Sequence, residues 1–408
     1  MSQPHALPVI ILGAGMAAYG VAREFRKLDK TTPLLIVSSD SGGSYSKPML
    51  SNALAMGKSA AQLTMQSAEQ MSVTLDATIL NGVQVTVIDA DTRTIATADG
   101  RTLPYRDLVL ALGARPIRLA LTGDGADQVL SVNHLDDYAA LRGRLDALGG
   151  PGRVAILGAG LIGCEFADDL VAGGHQVTLI DPNPRPLAAL AAPGLSAALT
   201  QAWTSLPIAL RMNTTAAAVR RAPGGAPGAP GAPGVLVDLA DGSVVEADVV
   251  LSAVGLRPSI CLAQAAGIAT ARGIVIDQFG RTSAANVYAL GDCAEYSTAN
   301  GGAVMPYVAP LLQAARAIGA TLAGTPTPIV LGKDAVVVKT ASLKLALAPP
   351  PAGSGGNWTH VDDGERVIAR FIDGAGIVRG FGLSLHTPAL RSALMAELDK
   401  AHQGTAAD

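Results

Sequence analysis

The sequence predicts an α/β protein with two Rossmann-like dinucleotide-binding domains and a small α+β domain in the C-terminal part. The first observation behind this prediction is a pair of glycine-rich motifs, each between an apolar strand and a helix. The second is the alternation of strand and helix patterns through the first two thirds of the chain. The third is a change to short strands after Thr325, which indicates a separate domain of different architecture.

The first glycine motif follows the apolar run Val9–Leu12 and opens a helix. In a G-x-G-x-x-A motif the first glycine permits a tight turn, and the second lets the backbone approach a pyrophosphate. The N–H groups at the start of the helix are free to bind phosphate oxygens. The candidate dinucleotide-binding residues of this motif are Gly13, Ala14, Gly15, Met16 and Ala17.

A second motif of the same form follows the apolar run Val154–Leu157, about 145 residues further along. One such match is weak, but two in strand–turn–helix context indicate a protein that holds two dinucleotides at once. A flavin that stays bound and a nicotinamide that exchanges are the natural pair. The candidate nicotinamide-nucleotide residues are Gly158, Gly160, Leu161, Ile162 and Gly163.

The strand that follows each motif should end in an acid that binds the adenosine ribose. After the first motif, the strand Leu34–Val37 is followed by Ser38, Ser39 and Asp40. Serine thus replaces the usual carboxylate, and either the Ser38 hydroxyl or the displaced Asp40 carboxylate is expected to bind the ribose.

Asp181 stands at the expected position, at the end of the predicted strand Gln176–Asp181. Its carboxylate can accept hydrogen bonds from both ribose hydroxyls, whereas it would repel a 2′-phosphate ~4 Å away by about 4 kcal/mol. Arg185 follows four residues later and could offset that repulsion. The sequence therefore favours NADH over NADPH.

Periodicity defines the remaining elements. The predicted strands are Val83–Ile88, Asp107–Leu112, Ala216–Arg221, Val235–Leu239, Ala335–Lys339, Val367–Ile372 and Val378–Gly382. The predicted helices cover about His134–Leu148, about Leu161–Ala172 and a final segment from about Pro388, and Asp99-Gly100 marks a hairpin turn. The low-complexity segment Pro223–Gly234 is expected to be an extended, mobile hairpin insertion without function, with a domain linker as the alternative.

The composition limits the class of protein and its partners. Apolar residues make up 49% of the chain, but no apolar run approaches the ~20 residues of a membrane-spanning helix. The N-terminal residues lack the pattern of a signal peptide, so we expect a soluble cytoplasmic enzyme. A net charge of −3 does not indicate nucleic acid or anionic membrane as a partner. Cys164, Cys261 and Cys293 suggest neither a disulfide framework nor a metal site, and buried inert thiols are expected.

Four further segments carry chemistry in combination with the glycine motifs: Ser44–Ser51, Leu108–Pro116, Val249–Pro258 and Arg281–Glu295. On these segments the chain resembles the FAD-dependent pyridine nucleotide-disulfide oxidoreductase superfamily over nearly its whole length. Within that superfamily it is most similar to the bacterial rubredoxin reductases, chiefly through Ser44–Ser51. The resemblance implies a glutathione-reductase-like fold with one tightly bound FAD and with NADH as co-substrate.

The resemblance also implies roles for individual residues around the flavin. Asp292 would bind the ribityl chain, and Lys47 would lie near the isoalloxazine ring. Val85 would contact the adenine through its backbone, and Ala111 is a further candidate flavin contact. A helix that opens at Val308 would face the pyrimidine end of the flavin, where its dipole stabilises negative charge.

Three more residues are implied at or near the nicotinamide side. Glu165 would lie at the junction of flavin and nicotinamide, where it and Lys47 are the candidate catalytic residues. Lys339 would reach back to the flavin, and Gly255 is a candidate nicotinamide contact. From pattern alone Lys339 could equally be a surface lysine on an edge strand, Glu165 an exposed helix residue, and Cys293 a packing residue.

The order of the motifs implies a discontinuous flavin domain. Residues 1–116 and 255–325 would form it, and residues 117–254 would form an inserted nicotinamide domain. Residues 326–408 would form the C-terminal α+β domain.

The positions of the cysteines limit the reaction. Disulfide reductases of this superfamily carry a C-x4-C pair beside the flavin, in the segment that here reads Tyr45–Ser51, yet no cysteine precedes Cys164. Single-cysteine peroxidases and oxidases are excluded on the same ground. Electrons should therefore leave the flavin directly and singly, to a small iron protein.

We expect that iron protein to be rubredoxin. A Rieske-type or plant-type ferredoxin is the alternative acceptor, and a flavin-bound NADH sensor without carrier turnover is the alternative of another class. Because rubredoxins are typically acidic, basic groups such as Lys47 and Lys339 would steer them towards the flavin.

Overall fold

The computed structural model describes residues 6–223, 234–298, 301–362 and 364–402, so residues 224–233 of the predicted insertion lie outside the described residues. The helices are α1 (Met16–Leu28), α2 (Ala60–Leu63), α3 (Ala68–Leu75), α4 (Leu135–Asp146), α5 (Leu161–Ala172), α6 (Pro193–Trp203), α7 (Cys261–Ala265), α8 (Val308–Leu322) and α9 (Pro388–Glu397).

The strands of the first half are β1 (Val9–Leu12), β2 (Leu34–Val37), β3 (Ser44–Tyr45), β4 (Thr64–Gln66), β5 (Thr78–Leu80), β6 (Val85–Asp89), β7 (Thr94–Thr97), β8 (Thr102–Pro104), β9 (Asp107–Leu110), β10 (Ala114–Pro116), β11 (Arg153–Leu157) and β12 (Gln176–Asp181). Those that follow are β13 (Ile208–Met212), β14 (Ala216–Arg221), β15 (Val235–Leu239), β16 (Val244–Ala247), β17 (Val249–Ser252), β18 (Leu256–Pro258), β19 (Ile274–Val275), β20 (Val287–Ala289), β21 (Ala294–Thr298) and β22 (Gly301–Val304). The C-terminal strands are β23 (Val336–Val338), β24 (Leu345–Ala348), β25 (Gly356–Asp362), β26 (Val367–Asp373) and β27 (Val378–Ser384).

The first compact unit comprises Met1–Lys47, Gln62–Arg115 and Leu256–Gly332. Its main sheet has the strand order β20-β9-β1-β2-β5, and every neighbouring pair is parallel. Every residue of β1 and β9 is buried, as a continuous apolar run in a parallel sheet predicts. Because β1 and β2 are parallel, their carboxyl ends lie side by side at the edge where the first glycine motif begins.

Helices α1 and α8 pack closely in this unit because glycines lie at their contact. A Cβ on Gly319 would stand 2.7 Å from the Glu24 Cβ and 2.9 Å from the Phe25 nitrogen. At Gly20 a Cβ would stand 3.1 Å from the Ala315 Cβ. The helix that begins at the first glycine motif is thereby held against the helix that begins at Val308.

The second compact unit comprises Pro48–Ala61, Pro116–Gly255 and Lys333–Asp408. It contains the parallel sheet β13-β12-β11-β17 and the antiparallel sheet β14-β15-β16. Its C-terminal part forms an antiparallel sheet of order β23-β24-β27-β26-β25.

The C-terminal sheet shares a hydrophobic core with α6 of the second unit. Leu195 and Trp203 of α6 are buried in one cluster with Leu345 and Leu347 of β24. A Cβ on Gly382 of β27 would stand 2.1 Å from the Leu195 Cδ1, so helix and sheet are in direct contact. The C-terminal residues therefore belong to the same compact unit as the second glycine motif, which the sequence pattern does not indicate.

Most predicted elements are present, and several have the predicted bounds. The strands β2, β12, β14 and β15 and the helix α5 begin and end where the pattern places them. Gly100 has φ +86° in the predicted hairpin turn between β7 and β8. The sequence does not predict α6 or β24, because alanine and leucine patterns do not separate helix from strand. Among the described residues, no helix is both long and apolar enough to cross a membrane.

Alanine should destabilise the protein at Gly319, where α1 and α8 are in contact, and stabilise it at Gly143 of α4, where there is space. Gly319→Ala should lower the free energy of unfolding by about 1–3 kcal/mol, because the new methyl group would overlap α1. Gly143→Ala in α4 meets no atom within 4 Å and should raise it by up to about 1 kcal/mol, because alanine favours helix. Thermal denaturation of both variants tests this; equal melting temperatures would contradict the close packing.

Candidate functional site

The first glycine motif is shaped to leave room for a ligand. Gly13 has φ +114°, and a Cβ there would stand 2.4 Å from the Ala111 carbonyl oxygen. A Cβ on Gly15 would meet no atom within 4 Å, and as N-cap of α1 this residue offers no side chain to the free helix N–H groups. A Cβ on Gly291 would stand 3.1 Å from the Ala17 Cβ, which places the motif beside the segment that carries Asp292. The remaining predicted residues, Ala14 and Met16, lie in the same turn.

The residues after β2 form a small hydrogen-bonded turn. The Ser38 hydroxyl donates to the Asp40 Oδ1 at 2.7 Å, and the Gly42 N–H donates to the same oxygen at 2.9 Å. Ser39 is exposed, and the Val83 N–H donates to the Ser38 carbonyl at 2.8 Å, which brings the start of β6, where Val85 lies, beside this turn. The hydroxyl and the carboxylate considered for ribose binding are thus partners of one another.

Lys47 and Asp292 are brought together in the first unit. The Lys47 Nζ lies 3.8 Å from the Asp292 Oδ2, and both side chains remain partly exposed. Asp292 lies in a short 3-10 helix that begins at Gly291, where φ is +75° and the N–H donates to the Tyr296 hydroxyl at 2.9 Å.

Helix α8 begins at Val308 with neither a capping side chain nor an acidic residue in its first turn, so its N–H groups can bind an acceptor.

The second glycine motif repeats this geometry in the second unit. Gly158 has φ +105°, and a Cβ on it would stand 2.7 Å from the Ala253 carbonyl oxygen. A Cβ on Gly160 would meet nothing within 4 Å, whereas one on Gly163 would stand 1.9 Å from the Gly158 oxygen. Both glycine motifs therefore fit diphosphate groups. The other predicted residues here are Leu161 and Ile162 in the first turn of α5 and Gly255, which has φ +109°.

Asp181 is held beside the second motif by three N–H donors. Its Oδ2 accepts the Ala159 N–H at 2.6 Å, and its Oδ1 accepts the backbone and side-chain N–H groups of Asn183, both at 2.8 Å. Within the described ranges it forms no ion pair with Arg185. Asn183 is a contributor that motif spacing alone does not predict.

Glu165 and Lys339 form an ion pair in the second unit. The Lys339 Nζ lies 2.9 Å from the Glu165 Oε2, and the Lys339 backbone N–H donates to Oε1 at 3.0 Å. The Ser51 hydroxyl donates to Oε2 at 2.6 Å, and the Lys339 ammonium also donates to the Pro48 carbonyl. Glu165 is only 1% exposed, so the interpretation of an exposed helix residue is wrong, and Lys339 is not a free surface lysine.

Asp168 and Asp169 are buried acids that sequence reasoning missed. Asp168 accepts the Trp203 Nε1–H at 2.9 Å and both the N–H and the hydroxyl of Ser342 at 2.9 Å. Asp169 accepts the backbone N–H groups of Leu54 at 3.1 Å and Ala55 at 2.8 Å. The signal was present in the sequence, because acids at i, i+3 and i+4 of an apolar helix share one face.

Two of the three cysteines are buried in unreactive surroundings. Burial raises the pKa of Cys293 to about 11, and the thiol donates to the carbonyl oxygens of Leu110 and Leu290. Burial also raises the pKa of Cys164, whose thiol donates to the Ala159 carbonyl at 3.3 Å. Cys261 is exposed, so the expectation of three buried thiols is wrong at this position, the first residue of the short helix α7.

The chain matches two known sequence families along most of its length. Residues 7–319 match the family described as pyridine nucleotide-disulphide oxidoreductase. Residues 328–398 match the family described as rubredoxin binding C-terminal domain.

Relatives are similar over nearly the full chain. The rubredoxin-NAD(+) reductase of Alcanivorax borkumensis is 41% identical over 377 residues, which cover 92% of this chain and 94% of that protein. The rubredoxin-NAD(+) reductase of Acinetobacter baylyi is 41% identical over 379 residues, with coverage of 92% and 93%. The structure of the covalent putidaredoxin reductase–putidaredoxin complex has a TM-score of 0.84 and 25% identity, with coverage of 96% and 93%.

The surroundings of Asp169 predict a pH dependence of stability. Burial raises the pKa of this carboxyl from 3.8 to about 6, against the opposing effect of the Ala55 and Leu54 N–H donors. Protonated Asp169 therefore contributes stability below about pH 4, and this contribution is lost as the pH rises through about 6.

Asp169→Asn cannot ionise and should lack this loss. The free energy of unfolding of the wild type relative to this variant should fall by about 3 kcal/mol between pH 4 and pH 7. Melting temperatures of both proteins across this pH range measure the change. Asp136→Asn, at an exposed site of α4, is the control for a general charge effect. A pH-independent difference between wild type and Asp169→Asn would contradict the shifted pKa.

Proposed function

Because the chain belongs to the pyridine nucleotide-disulphide oxidoreductase family, we propose that it is an FAD-dependent reductase that takes hydride from NADH and passes single electrons to rubredoxin. The observation that carries this proposal is the rubredoxin binding domain at residues 328–398 in a chain with no cysteine before Cys164. One NADH supplies two electrons and so reduces two one-electron carriers, with release of NAD⁺ and one proton.

The first unit supplies one set of residues to hold FAD, which when bound accepts a hydride and releases electrons singly. Gly13 and Gly15 leave space for the diphosphate, and the free N–H groups of α1 would bind it. Asp292 would hold the ribityl hydroxyls and orient the Lys47 ammonium. The further residues proposed for FAD in this unit are Ala14, Met16, Ala17, Ser38, Ser39, Asp40, Val85, Ala111 and Val308.

Residues of the second unit would bind NADH. Asp181, fixed by its three donors, would accept the hydroxyls of the adenosine ribose. Glu165 and Lys339, proposed at the flavin, form an ion pair that gives the buried carboxylate a cationic partner. The further residues proposed for NADH are Gly158, Gly160, Leu161, Ile162, Gly163 and Gly255.

The proposed roles divide the chain into three functional parts. Residues 1–116 and 255–325 would bind FAD, residues 117–254 would bind NADH, and residues 326–408 would meet the carrier. We place the protein in the cytoplasm, where NADH is available. A ferredoxin of a Rieske-type or plant-type oxygenase system is the second candidate acceptor, supported by the similarity to the putidaredoxin reductase complex.

Asp181 is expected to set the choice of nicotinamide nucleotide. Asp181→Ala should raise the KM for NADH about tenfold and narrow the difference from NADPH, because a carboxylate at the 2′ position repels phosphate. Asp181→Asn keeps the size of the side chain and separates charge from shape. Steady-state rates with both nucleotides measure this, and equal use of NADH and NADPH by the wild type would show that another group, such as Arg185, dominates.

Direct electron transfer predicts that no thiol takes part in turnover. A variant with Cys164→Ala, Cys261→Ser and Cys293→Ala should retain most of its NADH-dependent reduction of rubredoxin, since two of the thiols are buried with raised pKa values. Flavin content and melting temperature report any packing loss. NADH oxidation by the wild type should also depend on added rubredoxin and be slow with oxygen or a disulfide. Loss of activity in a folded, flavin-replete variant would overturn direct electron transfer. If rubredoxin does not raise the rate of NADH oxidation by the wild type, the alternative function of an NADH sensor is favoured.

A further inference from the structure

One exposed leucine near the C-terminal end of the described chain lies beside segments that carry basic residues. Leu385 follows β27 and is 40% exposed. Its N–H donates to the Lys344 carbonyl at 2.8 Å, and the next residue is His386. Arg391 lies in the first turn of α9, where its N–H donates to the Thr387 carbonyl at 3.0 Å. We call Lys344, Leu385, His386 and Arg391 the Leu385 patch.

The backbone of Leu385 is unusual for an exposed apolar residue. Its φ of +46° lies in the left-handed region, which costs a residue with a Cβ free energy that glycine would not incur. Exposure of the side chain adds a second cost, since burial would stabilise it. A residue that is unfavourable in both respects indicates a function that requires the leucine side chain itself.

The two cations of the patch are not neutralised by neighbouring acids. Within the described residues, Lys344 and Arg391 form no ion pair. By contrast, Arg370 of β26 forms an ion pair with Glu397 of α9. Burial and the nearby charges of Arg391 and Lys344 lower the pKa of His386. The patch therefore carries two positive charges next to a neutral imidazole at physiological pH.

The lysines first expected to steer an acidic carrier are placed differently. Lys47 lies 3.8 Å from the Asp292 carboxylate, and Lys339 lies 2.9 Å from the Glu165 carboxylate. A carboxylate at that distance cancels most of the field of an ammonium group beyond a few ångströms. Within the described part of the segment 328–398, Lys344 and Arg391 are cations for which no such carboxylate partner is found.

We propose that the Leu385 patch is the surface on which the acidic iron–sulfur carrier docks. Leu385 would enter an apolar spot on the carrier, while Lys344 and Arg391 would attract its surface carboxylates. All four residues lie within the segment 328–398 that matches the rubredoxin binding domain. This inference rests on the proposed function and names the part of the domain that makes the contact.

Leu385→Gly in the FAD-loaded enzyme separates docking from folding. Glycine suits the left-handed backbone, so the melting temperature should be equal or higher, while kcat/KM for rubredoxin should fall about tenfold through loss of the apolar anchor. The rate of flavin reduction by NADH, measured without carrier, should match that of the wild type. An unchanged kcat/KM for rubredoxin would overturn the role of Leu385.

Charge reversal tests the basic part of the patch. Lys344→Glu and Arg391→Glu should each lower kcat/KM for rubredoxin at least about fivefold at low salt, and the difference should shrink as salt is added. Lys400→Glu makes the same change of charge beyond the other end of α9 and should leave the rate near that of the wild type. Equal effects at all three positions would show a general charge effect and refute the patch. A wild type that fails to reduce rubredoxin at all would refute the proposed function instead.

Discussion

Three buried carboxylates on helix α5 organise the second unit. Glu165, Asp168 and Asp169 are 1%, 6% and 4% exposed, and each accepts hydrogen bonds from chain segments far away in sequence. A buried carboxylate without donors would cost several kcal/mol, so these segments must be in place for the helix to fold as it does. The acids thereby position both the Pro48–Ala61 segment and the loop between β23 and β24.

This arrangement links folding to function. Glu165 fixes Lys339 and Ser51, while Asp168 fixes Ser342 on the loop that leads to Lys344. Because the same helix starts at the second glycine motif, the proposed nucleotide site and the C-terminal sheet are connected through one helix of the second unit. Four of the donors to these acids are backbone N–H groups, those of Leu54, Ala55, Lys339 and Ser342, which hold a loop more firmly than flexible side chains do.

The two glycine motifs have similar turns but differ in the acid at or after the end of the next strand. In both, a positive-φ glycine touches a neighbouring backbone carbonyl and a second glycine leaves open space. The strand after the second motif ends in Asp181, whose carboxylate binds the motif itself through the Ala159 N–H. The strand after the first motif is followed by Ser38, and the next acid along the chain, Asp40, accepts hydrogen bonds from Ser38 and Gly42. Both acids are therefore held by hydrogen-bond donors of the unit in which they lie.

Local features of this protein could be predicted from its sequence. Glycine motifs, buried strands and the helix α5 follow from residue type and periodicity, because tight turns and sheet burial are constraints that act over a few residues. The absence of cysteine before Cys164 likewise limited the chemistry without any structure.

The identity of distant side-chain partners became known from the folded structure. The pairs Lys47–Asp292 and Glu165–Lys339, and the shared core of α6 with the C-terminal sheet, join residues far apart in sequence. Periodicity cannot reveal them, because a period describes which face of an element is buried and not what covers it. The surroundings of the exposed Leu385 could not be predicted from periodicity either. Its basic neighbours come together only when β24, β27 and α9 are packed against one another, and its left-handed backbone is likewise a feature of the folded chain.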